Sequence, residues 1–358
     1  MIFIKVIFWI LAGLILYVYI GYGILLIIIT RLKRIFSKKC IISDVPYEPE
    51  VTLFVTAYNE KDYIDQKIRN SFELNYPKEK IKFIWVTDGS DDGTPEILAK
   101  YSDIELYHLP ERSGKVAAMN RGMLHVKTPI VIFSDGNTLL AKETVREIAN
   151  AFMDPLVGCV SGEKRIIDKR TNTASGSGEG LYWKYESKLK QLDSELYSVV
   201  GAAGELFAIR TNLFKALEND TILDDFIMSM RIAMKGYRIK YAPDAFAYEM
   251  PSSSVKEELK RKIRIAAGGF QSVGRLVSLL NIFKYRWLSF QYISHKFLRW
   301  LVVPFALLFI IPLNILLISD NYCISCYSVY ILIFYCQLAF YLLVFLGWCL
   351  QNIKIKLK

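Results

Sequence analysis

The chain of 358 residues is 53% hydrophobic and carries a formal net charge of +10. This length suits one large domain or two smaller ones, and the hydrophobic share exceeds the usual globular range. The charge does not indicate nucleic-acid binding, because 31–39, 255–300 and the C-terminal tail hold all of the positive excess beside apolar runs, where anionic lipid headgroups attract it.

Three long runs of the chain carry no charge, and each is long enough to cross a bilayer as a helix. They predict membrane-spanning helices near 6–29, 301–318 and 328–350. Five basic residues follow the first run and lie within 31–39. Because basic loops stay in the cytoplasm, we expect 31–299 to be cytoplasmic and the N-terminus to lie outside. The sequence therefore predicts a multi-pass protein of the cell inner membrane.

These features divide the chain into four predicted parts. Residues 255–292 carry bases among apolar residues, a pattern that is typical of helices lying in the membrane interface. The predicted parts are a membrane helix over 1–30, a cytosolic domain over 45–250, amphipathic interface helices over 251–299, and two membrane helices with a basic tail over 300–358.

The segment 50–160 alternates strand and helix patterns, which predicts an α/β domain with a mostly parallel sheet and helices on both faces. Predicted strands lie at 50–60, 81–94, 104–109 and 130–138, and predicted helices at 61–73, 95–100 and 114–125. Three of these strands end in polar clusters, "TAYNE", "TDGS" and "SDGNT". Ligands of such sheets bind beyond the carboxyl ends of the strands, so the clusters indicate a site at one sheet edge.

The segment after 160 is less regular. Its composition predicts a flexible loop over 171–180 and a helix over 181–196. The stretch 201–210, "GAAGELFAIR", reads as a turn of small residues that leads into a strand. The stretch 222–243 predicts a helix that ends at Gly236 and is followed by a further strand.

Acidic residues gather at the predicted strand ends: Asp88, Asp135 and the pair Asp224-Asp225. A cluster of carboxylates repels a bare phosphate but binds one through a bridging divalent cation. Mg²⁺ and Mn²⁺ prefer oxygen ligands and keep substrate phosphates in their coordination shell. Asp135 and Asn137 each offer a side-chain oxygen, although the same residues are also common in solvated turns.

Arg112 and Lys115 flank Gly114 at the start of a predicted helix. Basic side chains and helix N-termini suit phosphate oxygens. The spacing of a P-loop does not occur here, and no G-x-G-x-x-G follows the first strand. A dinucleotide-dependent oxidoreductase is therefore disfavoured.

Six motifs occur in order across about 50–230: "VTAYNE", "TDGSDDGT", "RSGKVAAMN", "SDGNT", "GAAGELFAIR" and "LDDF". As an ordered set, they resemble the inverting family 2 glycosyltransferases, which include cellulose, hyaluronan and chitin synthases. The resemblance extends over about 50–275. It implies a Rossmann-like GT-A fold, a nucleotide-sugar donor, Mg²⁺ or Mn²⁺ as cofactor, and a cytosolic catalytic domain between membrane helices.

The resemblance also implies a role for each motif residue. Asp225 matches the general base, beside Asp224 where the family often has Glu, and Asp135 with Asn137 occupies the metal-binding motif. Arg261 and Arg264 match the family's basic motif and are expected at the diphosphate or acceptor. The residues implied for nucleotide-sugar binding are Thr56, Tyr58, Glu60, Asp88, Arg112, Lys115 and Asp135.

Two departures from the family pattern narrow the expected function. Asn137 replaces the second metal-motif Asp, and Ile265 stands where processive synthases carry a Trp that stacks on the acceptor sugar. We therefore expect single sugar transfer from a nucleotide-diphosphate sugar, with a UDP-sugar as the expected donor, to a lipid-linked or glycan acceptor in surface polysaccharide or glycoconjugate synthesis. The alternatives are a processive polysaccharide synthase and a non-catalytic nucleotide-sugar-binding subunit of a membrane assembly.

Overall fold

A computed structural model of the chain describes residues 2–36, 47–166, 174–249, 255–319 and 324–356. The predicted domain limits at 45 and near 250, the basic residues Lys38 and Lys39, and the last residue of the basic tail lie outside these ranges. The chain forms two compact units. One unit is Ile24–Lys296, and the other consists of Met1–Gly23 together with Phe297–Lys358.

The described residues of the larger unit contain eight strands in one sheet, in the order β3-β2-β1-β4-β7-β6-β8-β5. The strands are β1 (Val51–Ala57), β2 (Ile81–Asp88), β3 (Ile104–Leu109), β4 (Ile130–Asp135), β5 (Thr138–Leu140), β6 (Val157–Ile166), β7 (Leu206–Arg210) and β8 (Arg238–Glu249).

Some of the helices belong to the unit that contains this sheet, and others form the second unit. The helices are α1 (Ile2–Leu16), α2 (Tyr22–Phe36), α3 (Lys61–Phe72), α4 (Thr94–Leu98), α5 (Lys115–Gly122), α6 (Thr144–Ala151), α7 (Ala174–Leu196), α8 (Asp224–Met234), α9 (Val255–Arg275), α10 (Ile282–Tyr285), α11 (Trp287–Tyr292), α12 (Val303–Ser319) and α13 (Ile324–Lys356). Short π-helical turns occupy Tyr17–Gly21 and Ile293–Val302.

The four strands β3, β2, β1 and β4 are mutually parallel. Their near-continuous apolar sequences suit strands that are covered on both faces, and they form much of the hydrophobic core. Thr56 pairs with Val86 on one side and with Asp135 on the other. The polar ends of β1, β2 and β4 therefore meet at one sheet edge, as the sequence predicts.

The other half of the sheet is mixed, so the parallel core predicted for the α/β domain is confirmed but does not extend over the whole sheet. Pairs β4–β7, β6–β7 and β5–β8 are antiparallel, and β6–β8 is parallel. The alternation that predicts parallel strands holds only while a helix separates each strand from the next. Strand β6 and helix α6 were not predicted, since the stretch 141–170 lacks the regular apolar spacing used for the earlier elements.

Helix α7 begins at Ala174, so the predicted loop over 171–180 is wrong for 174–180. Residues 171–173 lie outside the described part of the chain. Glycine and serine lower helix propensity, which is why composition favours a loop there. Extending an existing helix adds a hydrogen bond for each residue fixed, however, and the long helix that follows offsets the penalty.

Among the residues that the structure describes, three helical stretches are long and apolar enough to cross a membrane: Ile2–Phe36, Trp287–Ser319 and Val329–Gly347. They coincide with the three predicted spans. In the smaller unit, Phe8 of α1 is buried with Ile310 and Leu317 of α12.

Candidate active site

The carboxyl edge of the parallel strands brings three of the sequence-predicted side chains together. Lys115, the first residue of α5, directs its Nζ to Asp135 Oδ1 at 2.8 Å. The same Nζ lies 3.8 Å from Asp224 Oδ2, at the start of α8. Burial lowers the pKa of Lys115, but the charges of Asp135 and Asp224 outweigh it, so the pKa lies above its usual range. Lys115 is therefore a fixed cation between two carboxylates.

Asp225 follows Asp224 in the first turn of α8 and lies against Gly204. A side chain at Gly204 would place its Cβ only 3.1 Å from Asp225 Oδ2, so the glycine leaves the space that this carboxylate needs. Burial, and next the neighbouring Asp224 charge, raise the pKa of Asp225 to about 7. A carboxyl group with a pKa near neutrality is suited to accept a proton at physiological pH.

Asp224 Oδ2 is buried and, within the described ranges, has no hydrogen-bond partner. Its Lys115 contact at 3.8 Å is an ion pair and not a hydrogen bond. A buried polar atom left in this state is costly unless a ligand or water satisfies it. The atom therefore points to a polar ligand beside Lys115.

Asp135 and Asn137 lie on the turn between β4 and β5 and present a carboxylate and an amide oxygen. No cluster of three or more His, Cys, Asp or Glu side chains that could hold a metal occurs among the described residues. A divalent cation bound here would need further oxygens. This donor set fits Mg²⁺ or Mn²⁺, since both are commonly held by one or two protein oxygens together with substrate phosphates and water.

Glu60 follows β1 and packs its Cγ near Gly136, where a Cβ would lie 3.3 Å away. Burial, and then the charges of Asp135 and Asp92, raise the pKa of Glu60 to about 7. A second carboxyl group with a raised pKa therefore lies beside the turn that carries Asp135. Thr56 reaches the same place, because it pairs with Asp135 across β1 and β4.

Asp88 holds the chain in front of α5. Its Oδ2 accepts hydrogen bonds from the backbone N–H groups of Ser113 and Gly114 at 2.8 and 2.6 Å. Its Oδ1 is 3.3 Å from Arg121 Nη1. These bonds fix the segment that presents Lys115, and the role of Asp88 in nucleotide-sugar binding stays a prediction.

Arg112 and Tyr58 form a separate contact at the same end of the sheet. The Arg112 guanidinium lies 3.7 Å above the Tyr58 ring, a cation–π arrangement. Gly89, with φ of +71°, lies under Arg112 and has no space for a side chain, because a Cβ would approach Arg112 Cβ to 2.6 Å. Tyr58 is 40% exposed, so the pair presents a flat surface on which an aromatic ring can stack.

Arg261 and Arg264 are placed differently, although both were expected at the diphosphate or acceptor. Arg264 lines a cavity of 480 Å³ that Lys115 and Asp224 also line. Arg261 lies beside Glu205 at 3.5 Å and Glu249 at 3.9 Å. The two arginines are three positions apart on α9, and the sequence alone does not show which one the fold directs to the cavity.

Replacing these two arginines separately should therefore give different phenotypes. If the cavity binds the diphosphate of a nucleotide-sugar, as the family resemblance implies, we expect Arg264→Ala to lower kcat/KM by at least about tenfold, because a guanidinium beside a diphosphate forms charge-assisted bonds. We expect Arg261→Ala to act mainly on the melting temperature, since it leaves two carboxylates with less compensation. Donor titrations and thermal melts of both variants measure these effects. Equal loss of kcat/KM in the two variants would contradict the different placements.

Several residues of the site were not found from the sequence. The cavity is also lined by Asn219, Thr221 and Ile222 from the loop before α8, which carries no distinctive motif. Lys67 lies under the turn 135–138 on the buried face of α3. A signal for Lys67 does exist, because Ile64, Lys67, Ile68 and Ser71 have the spacing of one buried helix face, and a lysine on such a face is unusual.

Part of the chain matches the sequence model of a known protein family. Residues 49–268, more than half of the chain, match the model described as "Glycosyltransferase like family 2". A poly-beta-1,6-N-acetyl-D-glucosamine synthase of Staphylococcus aureus (strain MSSA476) is 28% identical over 232 residues, which cover 62% of this chain and 55% of the synthase. The synthase of the same name from Staphylococcus epidermidis is 25% identical over 252 residues, covering 67% of this chain and 59% of the synthase. The chain thus spans little more than half the length of these relatives.

A solved structure shares the fold over most of the chain. The mannosyltransferase PcManGT from Pyrobaculum calidifontis, solved in complex with GDP-Man and Mn²⁺, superposes with a TM-score of 0.69. The match covers 90% of each chain at 24% identity. The predicted GT-A fold is thereby confirmed.

Proposed function

The chain belongs to glycosyltransferase family 2, and from this we propose that it moves a sugar, with inversion, from a nucleotide-diphosphate sugar to a lipid-linked or glycan acceptor. The observation that carries the proposal is the group formed by Lys115, Asp135 and Asp224 at the mouth of a cavity, with Asp225 next in the chain. The group combines anchors for a metal diphosphate with a carboxylate suited to act as a base.

In this proposal Asp225 removes the proton from the acceptor hydroxyl as its oxygen attacks the anomeric carbon of the donor. The nucleoside diphosphate leaves from the opposite face of the sugar, which inverts the anomeric configuration. Lys115 and Arg264 bind the diphosphate and stabilise the charge that develops on it. Thr56, Tyr58, Glu60, Asp88 and Arg112 surround the nucleotide.

Asp135 and Asn137 would hold a divalent cation, Mg²⁺ or Mn²⁺, that neutralises the leaving diphosphate. Support comes from the oxygen donors on the turn and from the similarly folded mannosyltransferase, whose structure contains GDP-Man and Mn²⁺. The mannosyltransferase binds a GDP-sugar, whereas the relatives in sequence indicate a different donor. We favour a UDP-sugar, because the relatives in sequence are N-acetylglucosamine polymer synthases.

We further propose that the reaction takes place at the cytoplasmic face of the inner membrane. The candidate spans flank the catalytic unit in sequence, and basic residues follow the first span. Large apolar side chains are exposed along α9 to α11, including Ile263 (61%), Phe270 (45%) and Phe283 (92%). Such side chains among bases suit the membrane interface, where a lipid-linked acceptor is presented. The product would enter surface polysaccharide or glycoconjugate synthesis.

A second candidate function is processive polysaccharide synthesis. The similarity to poly-N-acetylglucosamine synthases favours it. Against it stands Ile265, in place of the Trp of processive enzymes. The length of the product made from a single donor distinguishes the two candidate functions. Repeated transfer yields a long homopolymer, whereas single transfer adds one sugar to the acceptor.

A donor screen tests the proposal as a whole. The full chain in detergent or nanodiscs is incubated with UDP- and GDP-sugars, Mn²⁺ or Mg²⁺, and a membrane lipid extract, and nucleotide release is measured. We expect release from one donor that requires the metal and increases with the extract. If every donor bound without hydrolysis or transfer, a non-catalytic nucleotide-sugar-binding subunit would be the better description.

A further inference from the structure

Lys67 is a fully buried lysine on the face of α3 that packs against the sheet. Its exposed fraction is 0%, and its neighbours on the same helix face are Ile64, Ile68 and Ser71. Lysine is almost never fully buried without a charged partner. It lies directly behind the strand that ends in Asp135 and takes no part in the proposed mechanism.

The ammonium group is tied to the end of β4 by a short chain of hydrogen bonds. Lys67 Nζ donates to Ser134 Oγ at 2.7 Å, and Ser134 Oγ lies 3.0 Å from Thr138 Oγ1. Thr138 Oγ1 donates to the Asp135 carbonyl at 3.0 Å, and the Ser134 hydroxyl, which also lies 3.5 Å from that carbonyl, makes its shorter contact with Thr138. The four groups therefore form one hydrogen-bond chain, in which each bond polarises the next.

This chain closes the turn 135–138, which carries Asp135 and Asn137. Helix α3 also holds the turn at a second point. The Asn70 side chain donates to the Leu140 carbonyl at 2.8 Å and accepts from the Leu140 N–H at 2.7 Å. One helix face thus fixes both ends of the segment that presents the two candidate metal oxygens.

The chemistry of the contact argues that Lys67 is not there for stability. Within the described part of the chain, its Nζ has one hydrogen-bond partner, the neutral hydroxyl of Ser134. Burial of an ammonium group is costly when no carboxylate contacts it, and it lowers the pKa of Lys67 to about 7 although the nearby Asp135 charge acts to raise it. A methionine of similar length would fill the same space without that cost, as replacement of buried charged groups by apolar ones often shows. Buried side chains that lower the stability of the fold are commonly found at functional sites.

We infer that Lys67 is a positioning residue for the metal–diphosphate site, which it serves by fixing the Ser134–Thr138 hydrogen-bond chain and thus the turn that presents Asp135 and Asn137. The inference rests on the proposed function, since it assigns Lys67 to that same site. It accounts for a fully buried lysine that takes no direct part in the proposed reaction. Groups that orient metal ligands typically change metal affinity by about 10- to 100-fold when they are removed.

The test compares Lys67→Met with Arg69→Met, which removes one exposed positive charge from the same helix. Mn²⁺ binding in the presence of UDP, and separately of GDP, is measured by the electron paramagnetic resonance signal of free Mn²⁺. For Lys67→Met we expect the Mn²⁺ dissociation constant to rise about tenfold or more, with a melting temperature equal to or above that of the wild type. Arg69→Met should bind Mn²⁺ as the wild type does.

Three further variants identify the hydrogen-bond chain as the cause. Ser134→Ala should weaken Mn²⁺ binding to a similar degree but lower the melting temperature, because it leaves the buried ammonium without its acceptor. The Lys67→Met/Ser134→Ala double variant should show strong non-additivity in Mn²⁺ affinity, since both changes break the same chain. Lys67→Gln, which keeps an N–H donor, should restore part of the affinity.

The outcomes separate this inference from the proposed function. Wild-type protein that binds no Mn²⁺ with either UDP or GDP would overturn the proposed function and this inference together. Wild-type protein that binds Mn²⁺, with Lys67→Met binding it equally well, would overturn the inference alone. A loss of Mn²⁺ affinity in Lys67→Met accompanied by unfolding would also overturn it, because Lys67 would then act through stability.

Discussion

Asp225→Asn should reduce sugar transfer by about a thousandfold, within the range that general-base catalysis contributes, while donor binding is retained. The amide keeps the shape of the side chain and its fit against Gly204 but cannot take the proton of the acceptor hydroxyl. Single-turnover transfer and donor dissociation constants, measured on the same preparation, separate the two effects. Asp244→Asn, which alters an exposed carboxylate, should behave as the wild type.

The pH dependence of kcat/KM should report the titration of Asp225. Burial and Asp224 raise the pKa of Asp225 to about 7, so below pH 7 the carboxyl is protonated and inactive as a base. We expect kcat/KM to rise as the pH passes through about 7 and to level off above it. Glu60 also has a pKa raised to about 7, so Glu60→Gln is the control. That variant should keep the rise, and its disappearance would assign the titration to Glu60.

An Asp225→Asn protein with wild-type transfer would show that another group removes the proton. Asp224 would be the first alternative, because its buried Oδ2 lies at the same cavity. The Asp224→Asn variant therefore belongs in the same experiment. We expect a smaller effect on transfer from it, with weaker donor binding, since Asp224 pairs with Lys115.

The parallel half of the sheet and its site edge were predictable because local patterns and the fold agree there. Strands β1, β2 and β4 are apolar runs that end abruptly in polar residues, and strands of this kind pair in parallel when helices separate them. The mixed half was not predictable in this way. Strand β6 pairs with β7 and β8, which are distant in sequence, and no local pattern encodes such pairing.

The direction in which side chains point was the second feature that could not be predicted from the sequence. Arg261 and Arg264 are both bases on α9, yet Arg264 lines the cavity and Arg261 lies beside Glu205 and Glu249, a difference that residue type and spacing do not show. The role of Lys67 was hidden for a related reason. Its place on a buried helix face is visible in the spacing, but its contact with Ser134 depends on how α3 packs across β4, which only the tertiary structure shows.

Asp135→Asn should abolish metal-dependent donor binding and lower kcat/KM by at least about a hundredfold. Asp135 supplies the only negative charge of the proposed Asp135–Asn137 metal pair and is the closest partner of Lys115, at 2.8 Å. Removing that charge weakens cation binding and leaves Lys115 paired with Asp224 alone at 3.8 Å. The measurement is donor affinity with and without Mn²⁺. If donor affinity in Asp135→Asn still depended on Mn²⁺ as in the wild type, the metal would lie elsewhere.

Asn137→Asp is the matched gain-of-charge variant and should act in the opposite direction. The amide oxygen of Asn137 can ligate a cation without bringing a charge to it, whereas a carboxylate in the same place adds a Coulombic attraction. We therefore expect a lower Mn²⁺ concentration for half-maximal activity in Asn137→Asp. Because the change restores the second acidic residue of the family motif, it should preserve the turn and alter only the charge. A higher Mn²⁺ requirement would mean that Asn137 faces the diphosphate directly, since a carboxylate there would repel it.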